Sequence, residues 1–168
     1  MWLHPSECWQ YSSIQSCRCS LRVVRKIIRS ALISAPVELA YKVVADVSKY
    51  PEFLPGCDAV AVEQKTDDEL DARVTVRASG LVHSFVTTNR CEATTITMAL
   101  KEGPFKKLMG AWHFSAVGDI GCRVEVEIVY ETDVAIAFFV GTVADSVANK
   151  VVDAFSARIE KAAAGQVY

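Results

Sequence analysis

The sequence predicts an α+β domain in which one curved antiparallel sheet wraps a single long C-terminal helix. Three observations carry this. Residues 133–164 contain no proline and a single glycine, Gly141, while Val140, Val143, Val147, Val151, Ala154 and Ile159 recur at three- to five-residue steps, the spacing of an amphipathic helix. Most of the chain before it alternates apolar and polar residues with period two, as strands do. Most of those strands have one apolar face, which suits an antiparallel sheet covered on one side only.

The elements follow in order. Residues 23–33 (VVRKIIRSALI) read as a first strand, stopped by Ser34, Ala35 and Pro36. Pro36 suits the first turn of a helix, and Leu39, Val43 and Val47 share one face of a short helix over 37–47. Residues 48–57 (SKYPEFLPGC) form an aromatic connector stiffened by Pro51 and Pro55 and released by Gly56. Strands are then expected over 59–64, 70–78, 81–91, 94–100, 105–117 and 122–131. The cleanest of them sets Leu70, Ala72, Val74, Val76 and Ala78 against Asp71, Arg73, Thr75, Arg77 and Ser79. The final helix, a rod of about 45 Å, has Asp133 or Thr132 in place to cap its start and Gly165 to stop it. A bent seven-stranded sheet gripping such a rod leaves room for a cavity between them.

Of the 168 residues, 51% are hydrophobic and mean hydropathy is +0.21. No apolar run approaches the ~20 residues a membrane-spanning helix needs, so this surplus must line an interior, a pocket or a contact surface. Net charge is −2; the first 30 residues hold five bases and one acid, leaving −6 on the remainder. An acidic body argues against a nucleic-acid-binding surface there. The basic, acid-poor start resembles a transit segment, which divides the chain into a leader, about 1–20, and a domain, 21–168. The six cysteines are scattered, three in the leader and Cys57, Cys91 and Cys122 in the body. They lack paired zinc spacing and read as free thiols.

No catalytic set is visible. His113 alternates away from Trp112 and Phe114, and Glu125 and Glu127 share the polar side of their strand. His83 has the parity of Leu81 and Phe85 and is placed to face inward. No GxSxG, HExxH, P-loop or dinucleotide fingerprint occurs. What remains is apolar. The sheet offers Val74, Val76, Phe85, Met98, Phe105, Leu108, Trp112, Phe114, Val126 and Ile128 as cavity lining. The helix offers Phe138, Phe139, Val143, Val147 and Val151, and the connector Tyr50, Phe53 and Leu54. Tyr50, His83 or Lys106 would orient a polar head group at the mouth. Residues 105–109 and 138–140 are expected to form a gate or membrane-touching edge, with Lys106 and Lys107 drawing anionic lipid.

Three segments carry a resemblance. Residues 43–57 (VVADVSKYPEFLPGC), residues 103–108 (GPFKKL) followed by Trp112, His113 and Phe114, and residues 151–155 (VVDAF) together resemble the coenzyme Q-binding proteins. These belong to the START, or polyketide cyclase-like, superfamily. The likeness covers about residues 22–163. It implies a helix-grip (START-like) fold and a hydrophobic tunnel that binds ubiquinone without catalysis or cofactor. It also implies quinone biosynthesis and respiratory electron transport as the setting, and peripheral contact with the mitochondrial inner membrane on the matrix side. Bacterial relatives of that family include a toxin that blocks ribosomal subunit association, and the superfamily also holds cyclase-like enzymes, so both remain alternatives. The chain departs from the family in an apolar stretch over 132–140 and in a mostly apolar 79–83, where basic or glycine-rich residues are common.

Overall fold

The computed structural model describes the backbone of residues 22–78 and 80–165 and, apart from 22, 78 and 134–147, their side chains. The expected leader, 1–20, lies outside the described residues, as do the side chains of Phe138, Phe139, Val143 and Val147.

Strand β1 (Arg22–Ile33) leads into helix α1 (Val37–Ala45). The connector is more structured than its prolines suggest: a 3₁₀ turn over Val47–Lys49 runs into a short helix, α2 (Tyr50–Phe53). Pro51 falls in the first turn of α2, where its missing N–H costs nothing. Six strands follow, β2 (Cys57–Gln64), β3 (Glu69–Ala78), β4 (Leu81–Glu92), β5 (Thr95–Glu102), β6 (Lys107–Val117) and β7 (Gly121–Asp133). Helix α3 (Val134–Gly165) closes the fold, within one residue of its expected bounds.

The strands make one antiparallel sheet in the order β1-β7-β6-β5-β4-β3-β2. Its register confirms the alternation read from the sequence. Trp112 lies opposite Val126 and Phe114 opposite Val124 on the inner face, while His113 faces Glu125 on the outer one. The tight tip between β3 and β4 turns on Gly80 (φ +80), and Gly103, at φ +153, stands so close to Phe85 that a Cβ there would lie 2.7 Å from that residue's Cβ.

Helix α3 packs along β1, α1, β7 and α2. Two apolar clusters result. The larger joins Phe155 and Ile159 of α3 to Leu39, Ala40 and Val44 of α1 and to Trp112, Phe114, Val124 and Val126 of the sheet. The smaller gathers Ile27, Leu108 and Tyr130 around Ala148, with Phe85, Leu100 and Phe105 at its margin. The Thr132 hydroxyl does not cap α3. Thr132 is wholly buried with its hydroxyl unpaired, and Asp133 reaches the Lys106 Nζ at 3.4 Å.

Candidate functional site: an open inner face under β3–β5

Among the described residues the inner face of the sheet is unevenly covered. On β6 and β7, Leu108, Trp112, Phe114, Val124, Val126 and Tyr130 are buried. On β3, β4 and β5, the inward Leu70, Val74, Val76, Phe85, Met98 and Leu100 are only half-buried. The register places them side by side: Val74 opposite Phe85, Leu70 opposite Asn89, Asn89 opposite Met98. With the buried Ala72, Thr87, Asn89 and Ile96 among them, they make a partly covered apolar stretch of the inner face. The space a side chain at Gly110 would take is filled by Met98.

The residues singled out from the sequence separate into two sets. Tyr50, Phe53, Trp112, Phe114, Val126 and Val151, with Leu54, belong to the closed end around Phe155. Phe155 meets the rings of Tyr50, Phe53 and Trp112 at 5.1, 5.1 and 4.9 Å, all edge-on. The Tyr50 hydroxyl donates to the Val44 carbonyl at 2.6 Å, and burial pushes its pKa far up. Its hydroxyl is therefore engaged in the packing around α1. Val74 and Val76 are half-buried on the inner face, Met98 packs against the Phe155 cluster, and Phe85 and Phe105 pack against the smaller cluster that holds Leu108, with the Phe105 ring 6.4 Å from that of Phe85 and 5.9 Å from that of Tyr130.

The upper rim is apolar and partly exposed. Leu81 and Val82 at the β3–β4 tip are 63% and 52% exposed, and His83 lies opposite Val76, exposed on the inward side. Lys106 is exposed beside Asp133, and Lys107 pairs in register with Glu131 on the outer face.

The titratable groups offer little chemistry. Burial raises the pKa of Cys57 and Cys122, with Asp58 and Glu38 adding to the effect, so both stay thiols at neutral pH. Burial beside Cys91 holds Tyr41 protonated, its pKa pushed up to about 12. Among the described residues no group of His, Cys, Asp and Glu is arranged to hold a metal ion, and no helix is long and apolar enough to cross a membrane.

Sequence reasoning missed three features. Asp71 falls on the polar side of β3 yet is buried, accepting from Lys101 Nζ at 2.5 Å and Thr88 Oγ1 at 2.8 Å, with Lys65 Nζ at 3.5 Å. These donors hold its carboxyl below the usual range. A hollow of about 710 Å³ lies on the outer face, floored by Ala99, Met109, Ala111 and Val129. Its only sequence signal is the run of small and apolar residues at outward positions. A second hollow, about 520 Å³, opens at the lower end between Tyr41, Leu70 and Cys91.

The family model described as "Polyketide cyclase / dehydrase and lipid transport" matches residues 33–156. By sequence the chain is 36% identical over 141 residues to the persistence and stress-resistance toxin PasT of Escherichia coli, covering 83% of this chain and 89% of that one. It is 34% identical over 142 residues to the ribosome association toxin RatA of Vibrio cholerae, covering 82% and 97%. RatA of Pseudomonas aeruginosa is 34% identical over 137 residues, covering 80% and 95%. By structure it is similar to the Zhui aromatase/cyclase of a Streptomyces, with TM-score 0.76, 15% identity and 83% and 95% of the two chains covered. It is also similar to a START superfamily protein of Mycobacterium smegmatis, with TM-score 0.67, 17% identity and 85% and 99% covered. At those identities the structural likeness is one of fold, and it makes the fold START-like, the helix-grip expected. The mitochondrial inner-membrane placement is corrected. The relatives that span four-fifths of this chain are proteins of bacteria, cells that have no mitochondria.

Proposed function

The chain belongs to the polyketide cyclase/dehydrase and lipid-transport family, and from that premise we propose that it acts by associating with ribosomes. The observation that carries this is the near-whole-length likeness to bacterial proteins named ribosome association toxins. The charge of −6 on residues 31–168 favours contact with basic ribosomal protein over ribosomal RNA, since phosphate repels such a surface. Sucrose-gradient sedimentation of the purified protein mixed with bacterial ribosomes tests it. Protein that travels with a ribosomal particle supports the reading; protein that stays at the top of the gradient at low salt overturns it.

A second reading rests on the half-exposed inner face of β3–β5. We infer that this face forms a groove for an apolar ligand, with Val74, Val76, Phe85 and Met98 along it and Phe105 and Leu108 at its edge. Removing a hydrocarbon tail from water yields roughly 25 cal/mol per Å², which needs no specific contact. The resemblance of residues 43–57 and 103–108 to coenzyme Q-binding proteins makes a prenylated quinone such as ubiquinone the first ligand to try. Mass spectrometry of protein purified without detergent reads any lipid retained. Val76→Glu, which sets a charge in the groove, is expected to empty it; equal retention in the variant, or none in the wild type, removes this reading. Neither reading calls for bond-making chemistry, and the role we propose is non-catalytic.

A further inference from the structure

Among the described residues, strand β1 has a neighbouring strand on one side only, β7. It runs for 12 residues without proline and keeps one register with β7 throughout, with no bulge. Sheet edges are usually short, interrupted or covered, because an open row of N–H and C=O groups invites another strand. Which residues of β1 present that row follows from alternation. The Glu131 carbonyl of β7 accepts from the Lys106 N–H, on the β6 side. The even-numbered residues of β7 therefore bond to β1, through Val23, Arg25, Ile27, Arg29 and Ala31. The backbone groups of Val24, Lys26, Ile28, Ser30 and Leu32 are left at the free edge. In agreement, the Ile28 carbonyl accepts from the Arg29 side chain at 2.8 Å. The same residues carry the apolar surface: Val24, Ile28 and Leu32 are 63%, 46% and 66% exposed.

We propose that this edge pairs antiparallel with the β1 edge of a second copy of the chain, about a twofold axis at Ile28, joining the two sheets into one. In that register Ile28 faces Ile28 of the second copy and Val24 faces Leu32, so the exposed apolar side chains meet one another. Lys26 faces Ser30, Arg25 faces Ala31 and Arg29 faces Ile27, so no base lies opposite a base. Sliding the strands by two residues sets Arg25 against Arg29 in one direction and Arg29 against itself in the other. Like charges directly opposite are destabilising, so the bases of β1 select this register over its neighbours. The charges also match across the seam. Glu125 lies beside Ser30, which brings it within two strand spacings, about 10 Å, of Lys26 of the second copy. The five outward residues of each strand then exchange about ten backbone hydrogen bonds. The Ile28 carbonyl trades the Arg29 guanidinium for the Ile28 N–H of the second copy, while Arg29 keeps its 2.6 Å bond to Asn149 of α3.

Sedimentation equilibrium of the full chain, from micromolar to near-millimolar concentration, tests this. The wild type is expected at twice the 18.4 kDa chain mass. Ile28→Lys sets two cations face to face on the axis and should sediment as a single chain, with its circular dichroism spectrum unchanged because the site is on the surface. Val24→Glu and Leu32→Lys should each weaken the dimer by about three- to tenfold, since each altered pair occurs twice about the axis. Combined in one chain they should restore it, because the acid of one copy then meets the base of the other. These two variants also carry the test should Ile28→Lys not fold. Wild-type protein that stays a single chain at every concentration overturns the proposal. A dimer kept by folded Ile28→Lys overturns it too, as does a folded double variant no tighter than the single ones, because only this register joins those two positions.

Discussion

Phe155→Ala tests whether the closed end of the fold is solid. Phe155 is 2% exposed and meets three rings edge-on at 4.9 to 5.1 Å. Truncating a buried phenylalanine to alanine costs about 3–5 kcal/mol, transfer and cavity terms together. Each ring pair adds about 0.5–1.5 kcal/mol beyond its area, and losing three at once argues for the upper part of that range. At roughly 2–4 °C per kcal/mol for a domain of this size, the melting temperature should fall by about 8–20 °C. Differential scanning calorimetry measures it directly. Phe155→Leu, which keeps most of the volume, should recover more than half of the loss. The same variant, assayed below its melting point, should take up apolar probes as the wild type does, because its site is remote from Val74 and Val76. A melting temperature within 2 °C of wild type would refute solid packing at this end. It would mean that a space opens there as well.

Tyr50→Phe removes the hydroxyl bonded to the Val44 carbonyl and should cost about 1 kcal/mol by urea denaturation, with probe uptake unchanged. Gly103→Ala forces a side chain onto a left-handed backbone and against Phe85; a loss of about 1–3 kcal/mol is expected in the same assay. Asp71→Asn should lower the melting temperature at neutral pH, and the difference has a defined pH dependence. The folded carboxyl titrates below its ordinary value, so its contribution is complete above that value and disappears as pH falls through the lower, folded one. Melting curves of wild type and variant should therefore converge in acid; a gap that persists at the lowest pH at which both fold would contradict a stabilising role for the Asp71 carboxylate and its Lys101 and Thr88 partners.

The architecture was legible because period two and period 3.6 are strong signals. Val74 and Val76 alternating with Thr75 and Arg77 announced an inner face, and the stripe from Val140 to Ile159 announced the rod. Which inward residues are core and which are only half-covered was not legible, because that depends on what packs over the sheet. Trp112 and Met98 have the same parity and similar apolar character, yet one packs on Phe155 and the other is half-buried. Tyr50 misled for a related reason: its hydroxyl looked available until the turn after α1 brought the Val44 carbonyl to it. Asp71 was hidden because burial on an outer sheet face comes from lysines on other elements, Lys101 and Lys65, folding over it. The unpaired oxygen of Asn89 had no sequence signal at all, since an asparagine at an inward position says nothing of its partners.

The proposed role is tested most directly by centrifuging the purified protein with bacterial ribosomes and following both through a gradient. The account predicts protein in a ribosomal fraction, with Phe155→Leu behaving as wild type. Folded wild-type protein that never leaves the top fractions, at any salt concentration that keeps the ribosomes intact, would contradict it.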